Sequence, residues 1–129
     1  MSQRHGAGDA IVIFAHGAKD PQWARPMQRI QGAVRRLLPG TPVELAFLER
    51  MAPTLEAAVG DLARQGARRI TVVPLFLAPG GHVKEDLPAL IESLQTQHPG
   101  LRLTATAPIG EDDELLGAIA QWVVRKHQS

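Results

Sequence analysis

Apolar runs alternate with amphipathic stretches along the chain, and this alternation predicts the secondary structure. Three nearly continuous apolar runs are typical of strands buried on both faces of a parallel sheet, and a fourth run alternates as an edge strand does. The predicted strands cover positions 10–15, 43–48, 70–77 and 101–107. Apolar residues spaced by three and four predict four helices. The first covers 21–38, the second runs from Pro53 to Gly66, the third follows the connection 78–82 and ends before Pro99, and the fourth covers 112–126.

The strict alternation of strands and helices predicts an α/β fold. We expect a single-domain three-layer αβα sandwich, in which helices cover both faces of a four-stranded parallel sheet. Right-handed crossovers and a flavodoxin-like strand order 2-1-3-4 place the first and third strands side by side. The sequence contains no internal repeat or linker, so one domain is expected over 1–129, with frayed ends at 1–8 and 127–129.

Composition excludes several classes of function. The 129 residues are 44% hydrophobic, which suffices for one core, and a net charge of +1 gives no support for a nucleic-acid or membrane partner. The absence of cysteine excludes disulfides and thiolate metal sites. Positions 1–9 lack the apolar core of a signal peptide, so a cytoplasmic location is expected. Neither GxGxxG nor GxxxxGK[ST] occurs, so no nucleotide site is predicted.

Candidate chemistry lies where predicted strands end. His16 follows the first strand and precedes Gly17, His82 follows the glycine-rich connection after the third strand, and Glu49 follows the second strand. Ligands of open α/β sheets bind at this carboxyl edge. Two imidazoles and a carboxylate can hold a divalent metal with an open position, and they can also accept protons. Taken singly, His16 could cap strand-end carbonyls, His82 could be a surface loop residue, and Glu49 could be an ordinary exposed glutamate.

Other polar residues have structural explanations. Capping of helix N-termini accounts for Asp86 and Asp112, a helix C-terminus accounts for His98, and the frayed ends account for His5 and His127. Lys19 or Lys84 could attract an anionic ligand near the mouth of the site. A histidine phosphatase would need an arginine immediately before the His-Gly pair, where this chain has Ala15. A zinc hydrolase, the other rival enzyme, would have to retain its metal tightly.

Four segments together resemble one known family. They are His16-Gly17-Ala18-Lys19-Asp20-Pro21, Ala46-Phe47-Leu48-Glu49, the run from Val73 to His82 followed by Asp86-Leu87-Pro88, and Pro108-Ile109-Gly110. Their order resembles that of the small CbiX-type sirohydrochlorin chelatases, which are class II chelatases related to ferrochelatase. The resemblance extends over nearly the whole chain, from about Asp9 to Trp122.

The resemblance implies a function and a set of site residues. It implies insertion of Co²⁺ or Fe²⁺, with Ni²⁺ also chemically acceptable, into sirohydrochlorin in cobalamin or sirohaem biosynthesis, without ATP or an organic cofactor. The family's metal-handling histidines fall on His16 and His82, and its acidic partner on Glu49. Longer members fuse two such units, which implies a homodimer here. Ala18 stands where the family often has Ser or Thr, so a hydroxyl contact to substrate is missing. The alternative is a non-catalytic metal carrier or tetrapyrrole-binding module that uses the same residues.

Overall fold

Four strands and four α-helices alternate along the described part of the chain. The computed structural model describes residues 8–78 and 80–129, without the side chains of residues 81, 82 and 84. The strands are β1 (Asp9–Ala15), β2 (Val43–Phe47), β3 (Arg69–Pro74) and β4 (Arg102–Ala105). The helices are α1 (Arg25–Leu37), α2 (Leu55–Arg64), α3 (Gly81–Gln97) and α4 (Asp113–Gln128), with 3₁₀ turns at Pro21–Ala24 and Ile109–Glu111.

The strands form one parallel sheet in the order β2-β1-β3-β4. The register pairs Val12 with Glu44 of β2 and with Val72 of β3, and Val72 in turn with Ala105 of β4. The predicted α/β class, strand order and edge position of β4 are therefore confirmed. This order makes β1 and β3 neighbours, so the chain segments that follow them leave the sheet at the same edge.

The core lies between one face of the sheet and helices α2 and α3. Its residues are apolar side chains of all four strands and of α2, together with Leu94 of α3 and with Phe76 and Leu101 from the connections. The buried cluster comprises Ala10, Val12, Phe14, Ala46, Leu55, Ala58, Val59, Leu62, Ile70, Val72, Phe76, Leu94, Leu101 and Leu103. Helix α1 covers the opposite face, where Met27 lies near Ala15 and Leu75. Helix α4 contacts mainly the second 3₁₀ turn, and it has no buried residue.

Local signals explain several helix ends. Thr54 caps α2 by accepting a hydrogen bond from the Ala57 N–H, and Asp112 caps α4 by accepting one from Leu115. Gly66 has a φ of +101° directly after the C-cap residue of α2, as predicted for a glycine stop. His98 is the C-cap residue of α3, which agrees with its expected helix-terminal place.

Some boundaries differ from the sequence prediction. Strand β3 ends at Pro74 rather than at residue 77, because the chain bends at Leu77 and Ala78. Phe76 still lies on the core face, since its burial continues the alternation of Val72 and Pro74. Pro53 precedes the cap residue Thr54 and so lies outside α2, contrary to the prediction. The predicted helix 21–38 divides into a 3₁₀ turn and α1, since Pro26 has no N–H to continue an α-helical ladder.

The start of α3 also differs, and it changes the setting of His82. The glycine-rich connection predicted a loop at this point, but Gly80 is the N-cap residue and α3 begins at Gly81. Glycine is tolerated at an N-cap, so the helix starts earlier than its apolar spacing indicates. His82 therefore lies in the first turn of α3 and not in a loop, and Asp86 lies inside the helix rather than at its cap.

The predicted frayed ends have different outcomes. Helix α4 continues through His127 to Gln128. Its last turn contains Arg125, Lys126 and His127, and positive charge at a helix C-terminus is favourable. At the other end of the chain, residues 1–7, including His5, lie outside the described residues.

Candidate metal-handling site

His16 and Glu49 are brought together by the pairing of β1 with β2. Backbone hydrogen bonds continue this pairing beyond the last strand residues: the Leu48 N–H donates to the Ala15 carbonyl at 2.9 Å, and the Glu49 N–H donates to the His16 carbonyl at 3.1 Å. Both side chains therefore start from one edge of the sheet at matched heights. Their juxtaposition follows from strand register rather than from a flexible loop.

Gly17 permits this close approach. Its φ is +94°, a region that L-residues with a side chain rarely adopt. A Cβ atom at this position would lie 1.9 Å from the Glu49 carbonyl oxygen. Only glycine fits between the segments that follow β1 and β2. Glycine at position 17 is therefore required for His16 and Glu49 to lie this close.

The two side chains are separated by a distance that suits a shared cation. The His16 Nε2 and Glu49 Oε2 atoms lie 3.5 Å apart, and the side chains are 59% and 51% exposed. Nitrogen and oxygen ligands bind divalent metals at ~2.0–2.2 Å, which places tetrahedral neighbours about 3.3–3.6 Å apart. The observed separation therefore needs little adjustment for both atoms to contact one ion. Their exposure leaves other coordination positions open to water or substrate.

An aromatic ring supports the imidazole. The ring of Phe76 lies 6.1 Å from that of His16, centroid to centroid, and perpendicular to it. Phe76 is itself fixed in the core by an edge contact with Phe14 at 5.7 Å. Sequence reasoning assigned Phe76 to the third strand but did not derive this contact, although Phe76 continues the core-facing alternation of Val72 and Pro74.

A cationic residue missed by the sequence analysis lies beside Glu49. Arg50 has a φ of +66°, and its Nε atom lies 3.7 Å from Glu49 Oε2. Arg50 and Lys19 also line a common cavity of about 440 Å³. The adjacency of Arg50 to Glu49 in the sequence was the available signal. Lys19 and Arg50 can attract carboxylates at this cavity. Arg50 is the one that lies beside the site, because it contacts Glu49.

The position of His82 is known only for its backbone. It lies in the first turn of α3, which follows β3, the neighbour of β1. The side chains of His82 and Lys84 lie outside the described residues. Among the side chains that are described, no group of three or more histidine, aspartate, glutamate or cysteine residues is close enough to hold a metal. The structure brings His16 and Glu49 together. That His82 belongs to the same site stays a prediction.

Two apolar cavities border the pair. One of about 380 Å³ contains His16, Ala18 and Trp23 in its wall. The other, of about 400 Å³, lies between the end of β2 and α3, with Glu49 and Leu48 on one side and Asp86 and Leu87 on the other. Apolar cavity walls beside an exposed imidazole–carboxylate pair suit a ligand that has apolar ring surface and a polar centre. Asp86 therefore faces this region instead of capping a helix.

Comparison with known proteins identifies the family. A family model described as CbiX matches residues 10–126. The chain belongs to the CbiX family. Similar members include the sirohydrochlorin ferrochelatase of Bacillus subtilis strain 168, 38% identical over 117 residues that cover 85% of this chain and 42% of that protein. The sirohydrochlorin cobaltochelatase of Saccharolobus islandicus strain L.S.2.15 is 31% identical over 111 residues, which cover 81% of this chain and 85% of the relative.

Solved CbiX-type structures share the fold. A protein of Marinobacter aquaeolei VT8, described as a putative cobalamin biosynthesis CbiX protein, has a TM-score of 0.80 and 32% identity, covering 93% of this chain and 95% of that one. The sirohydrochlorin chelatase SirB of Bacillus subtilis subspecies spizizenii, in complex with cobalt, has a TM-score of 0.68 and 31% identity, covering 88% and 48%. This CbiX chain spans about half the length of the ferrochelatases that it matches. No helix in the described part of the CbiX chain has the length and apolarity needed to cross a bilayer.

Proposed function

We propose that this protein is an ATP-independent chelatase that inserts Co²⁺ or Fe²⁺ into sirohydrochlorin, in the synthesis of cobalamin or sirohaem. The observation that carries the proposal is the separation of 3.5 Å between His16 Nε2 and Glu49 Oε2 at the carboxyl edge of the sheet. The relatives named as sirohydrochlorin ferrochelatases and cobaltochelatases support the substrate. The SirB structures with Fe³⁺ and with cobalt support iron and cobalt as the metals.

The reaction exchanges one divalent cation for two protons. The ion enters the ring as two pyrrole N–H bonds break, so the site has to deliver a metal and remove protons. A neutral imidazole can ligate a metal or accept a proton, but it cannot do both at once. We assign metal delivery to His16 and His82 and proton acceptance to Glu49, whose carboxylate also contacts the ion beside His16 until the ion enters the ring. An open and exposed ligand set suits a metal that has to leave, whereas a closed set of four ligands would retain it.

Substrate carboxylates and a second copy of the chain complete the proposal. Sirohydrochlorin carries several carboxylates, which Arg50 and Lys19 attract from the cavity that they share. One four-stranded unit forms a single wall of a cleft for a flat macrocycle. We propose that a homodimer supplies the other wall, as the second half does in longer members of the family.

Turnover tests the chelatase function against its alternative. The protein is incubated anaerobically with sirohydrochlorin and Co²⁺, Fe²⁺ or Ni²⁺ in turn, and the visible spectrum follows insertion. We expect several equivalents of metallated product per site. His16→Ala and Glu49→Gln should lower the insertion rate by ~10²-fold or more, because each removes a group that contacts the ion or accepts a pyrrole proton. His98→Ala, which changes a histidine at the far end of α3, is the matched control and should retain activity.

The same experiment identifies the other outcomes. Metallation that stops at one equivalent per site would indicate a metal carrier or a tetrapyrrole-binding module. An unchanged rate in His16→Ala would contradict the assigned role of that residue.

A further inference from the structure

A large aromatic side chain lies exposed beside His16. Trp23 belongs to the 3₁₀ turn Pro21–Ala24, and 69% of its surface is exposed. Its indole lines the cavity of about 380 Å³ whose wall also contains His16. An indole is among the largest apolar groups that a protein can bury, and folding leaves most of this one in solvent. Packing within the described part of the chain therefore does not account for a tryptophan at this position.

The turn that carries Trp23 is fixed by its own hydrogen bonds. The Asp20 carboxylate accepts a hydrogen bond from the Gln22 N–H at 2.9 Å, and the Asp20 carbonyl accepts one from the Trp23 N–H at 3.0 Å. Pro21 at the start of the turn restricts the backbone further. A side chain on a rigid backbone loses little freedom when a ligand binds, so Trp23 is suited to contact a ligand beside His16.

The cavity beside Trp23 suits apolar ring surface better than the cavity beside Glu49 does. His16 has the only ionisable side chain among the described residues that line the Trp23 cavity, and Met27 and Phe47 add to its apolar wall. The cavity of about 400 Å³ on the other side contains two carboxylates, one of them that of Glu49. Carboxylates there disfavour a ligand that itself carries carboxylates, so we expect the ring surface on the Trp23 side.

Cationic side chains lie on the other side of the same turn. Two residues of the turn, Pro21 and Ala24, line the cavity of about 440 Å³ that also contains Lys19 and Arg50. The turn thus separates an apolar surface from a cationic one. Sirohydrochlorin has the same division, since its ring is apolar and its carboxylates lie at the ring periphery. A ring that rests on Trp23 can extend carboxylates to the two cations.

We propose that Trp23 binds the macrocycle: its indole packs against the apolar ring of sirohydrochlorin and holds the ring beside His16. The inference deepens the chelatase function proposed above and rests on it for the identity of the ligand. At about 380 Å³ the cavity is at the small end of ligand pockets, so it takes one side of the ring. Such a contact acts before insertion as well as during it, so it lowers KM more than it raises kcat.

The first test measures contact between the indole and the ring. The chain has two tryptophans, Trp23 and Trp122, so its ¹H–¹⁵N spectrum contains two indole Nε1–H signals, which Trp23→Phe and Trp122→Phe assign. Metal-free sirohydrochlorin is added anaerobically, and the ring current of the macrocycle shifts the signals of nearby nuclei. We expect a larger shift of the Trp23 signal than of the Trp122 signal. A Trp23 signal that shifts no more than that of Trp122 at saturation would overturn the proposal.

The second test measures affinity with matched variants. Metal-free sirohydrochlorin is titrated into the wild type, Trp23→Ala, Trp23→Phe and Leu37→Ala, and the visible spectrum reports binding. We expect ~10-fold weaker binding in Trp23→Ala, as for the loss of one aromatic stacking contact, and a smaller loss in Trp23→Phe. Leu37 is 78% exposed and lies at the opposite end of α1, so Leu37→Ala should bind as the wild type does. Wild-type affinity in Trp23→Ala, or an equal loss in Leu37→Ala, contradicts the proposal.

Binding of Co²⁺ separates contact with the ring from support of the metal site. Without the macrocycle, Trp23→Ala should bind Co²⁺ as the wild type does, and in turnover it should raise KM for sirohydrochlorin ~10-fold with a smaller change in kcat. A loss of Co²⁺ affinity as large as the loss of sirohydrochlorin affinity, or a changed oligomeric state in light scattering, would give Trp23 a structural role and refute the contact. If the indole shift and the affinity loss occur but the wild type shows no turnover, the Trp23 contact stands and the chelatase function fails.

Discussion

Replacing Gly17 with alanine tests whether the candidate site depends on the close approach of two connections. The new Cβ would lie 1.9 Å from the Glu49 carbonyl oxygen. Contacts shorter than 3.0 Å are essentially never seen for real Cβ atoms, so the two segments have to separate by about 1.1 Å or more. That movement stretches the backbone hydrogen bond from Glu49 to the His16 carbonyl, and it carries the Glu49 carboxylate away from the imidazole.

The expected magnitude has two parts. A side chain at a φ of +94° costs ~1–2 kcal/mol in left-handed backbone strain. Relief of the overlap adds ~1–3 kcal/mol, as in other overpacked sites. The sum is ~2–5 kcal/mol of unfolding free energy. At about 4 °C per kcal/mol for a domain of this size, Tm should fall by ~8–20 °C. A displacement of about 1 Å at the site should also lower the insertion rate by ~10²-fold.

Gly66→Ala is the matched control for the Gly17→Ala variant. Gly66 has a φ of +101°, and a Cβ there would meet no atom within 4 Å, so only the strain remains. Thermal unfolding monitored by circular dichroism should show a fall in Tm of ~4–8 °C for Gly66→Ala, with activity preserved. If Gly17→Ala is no less stable than Gly66→Ala and equally active, the argument that Gly17 holds His16 and Glu49 together is refuted.

Three further predictions concern single side chains. Thr54→Ala removes the cap of α2 and should lower the unfolding free energy by ~1 kcal/mol in a denaturant titration, whereas Thr104→Ala on β4 should have a smaller effect. Arg50→Gln should raise KM for sirohydrochlorin ~10-fold with less change in kcat, because the residue attracts substrate carboxylates beside Glu49; a change confined to kcat would exclude that role. Ala18→Ser restores a hydroxyl in the cavity wall beside His16 and should lower KM ~2–10-fold, and an unchanged KM would show that no hydrogen bond forms there.

The fold could be predicted because local patterns and topology rules agree. Strands buried on both faces leave continuous apolar runs, and short βα connections restrict the strand order to a few possibilities. The adjacency of His16 and Glu49 followed from that order, since each residue directly follows a strand of the β1–β2 pair. Prediction succeeded where the position of a residue relative to its strand determines its place in the molecule.

Other features depend on contacts that the sequence pattern does not reveal. Phe76 continues the core-facing alternation of β3 past its last strand residue, but the pattern does not reveal that its ring also meets His16. The left-handed conformation of Arg50 has no glycine or asparagine to signal it. The apolar spacing of α4 predicts a helix, but it does not predict that none of the residues of this helix is buried.

Titration with Co²⁺ measures whether His16 and Glu49 bind one divalent cation between them. The visible ligand-field spectrum of bound Co²⁺ reports coordination by the protein before any macrocycle is added. We expect one site per chain in the wild type, at least ~10-fold weaker binding in His16→Ala and in Glu49→Gln, and unchanged binding in His98→Ala. Equal Co²⁺ affinity and equal spectra in the wild type and both site variants would contradict shared binding of the ion by His16 and Glu49.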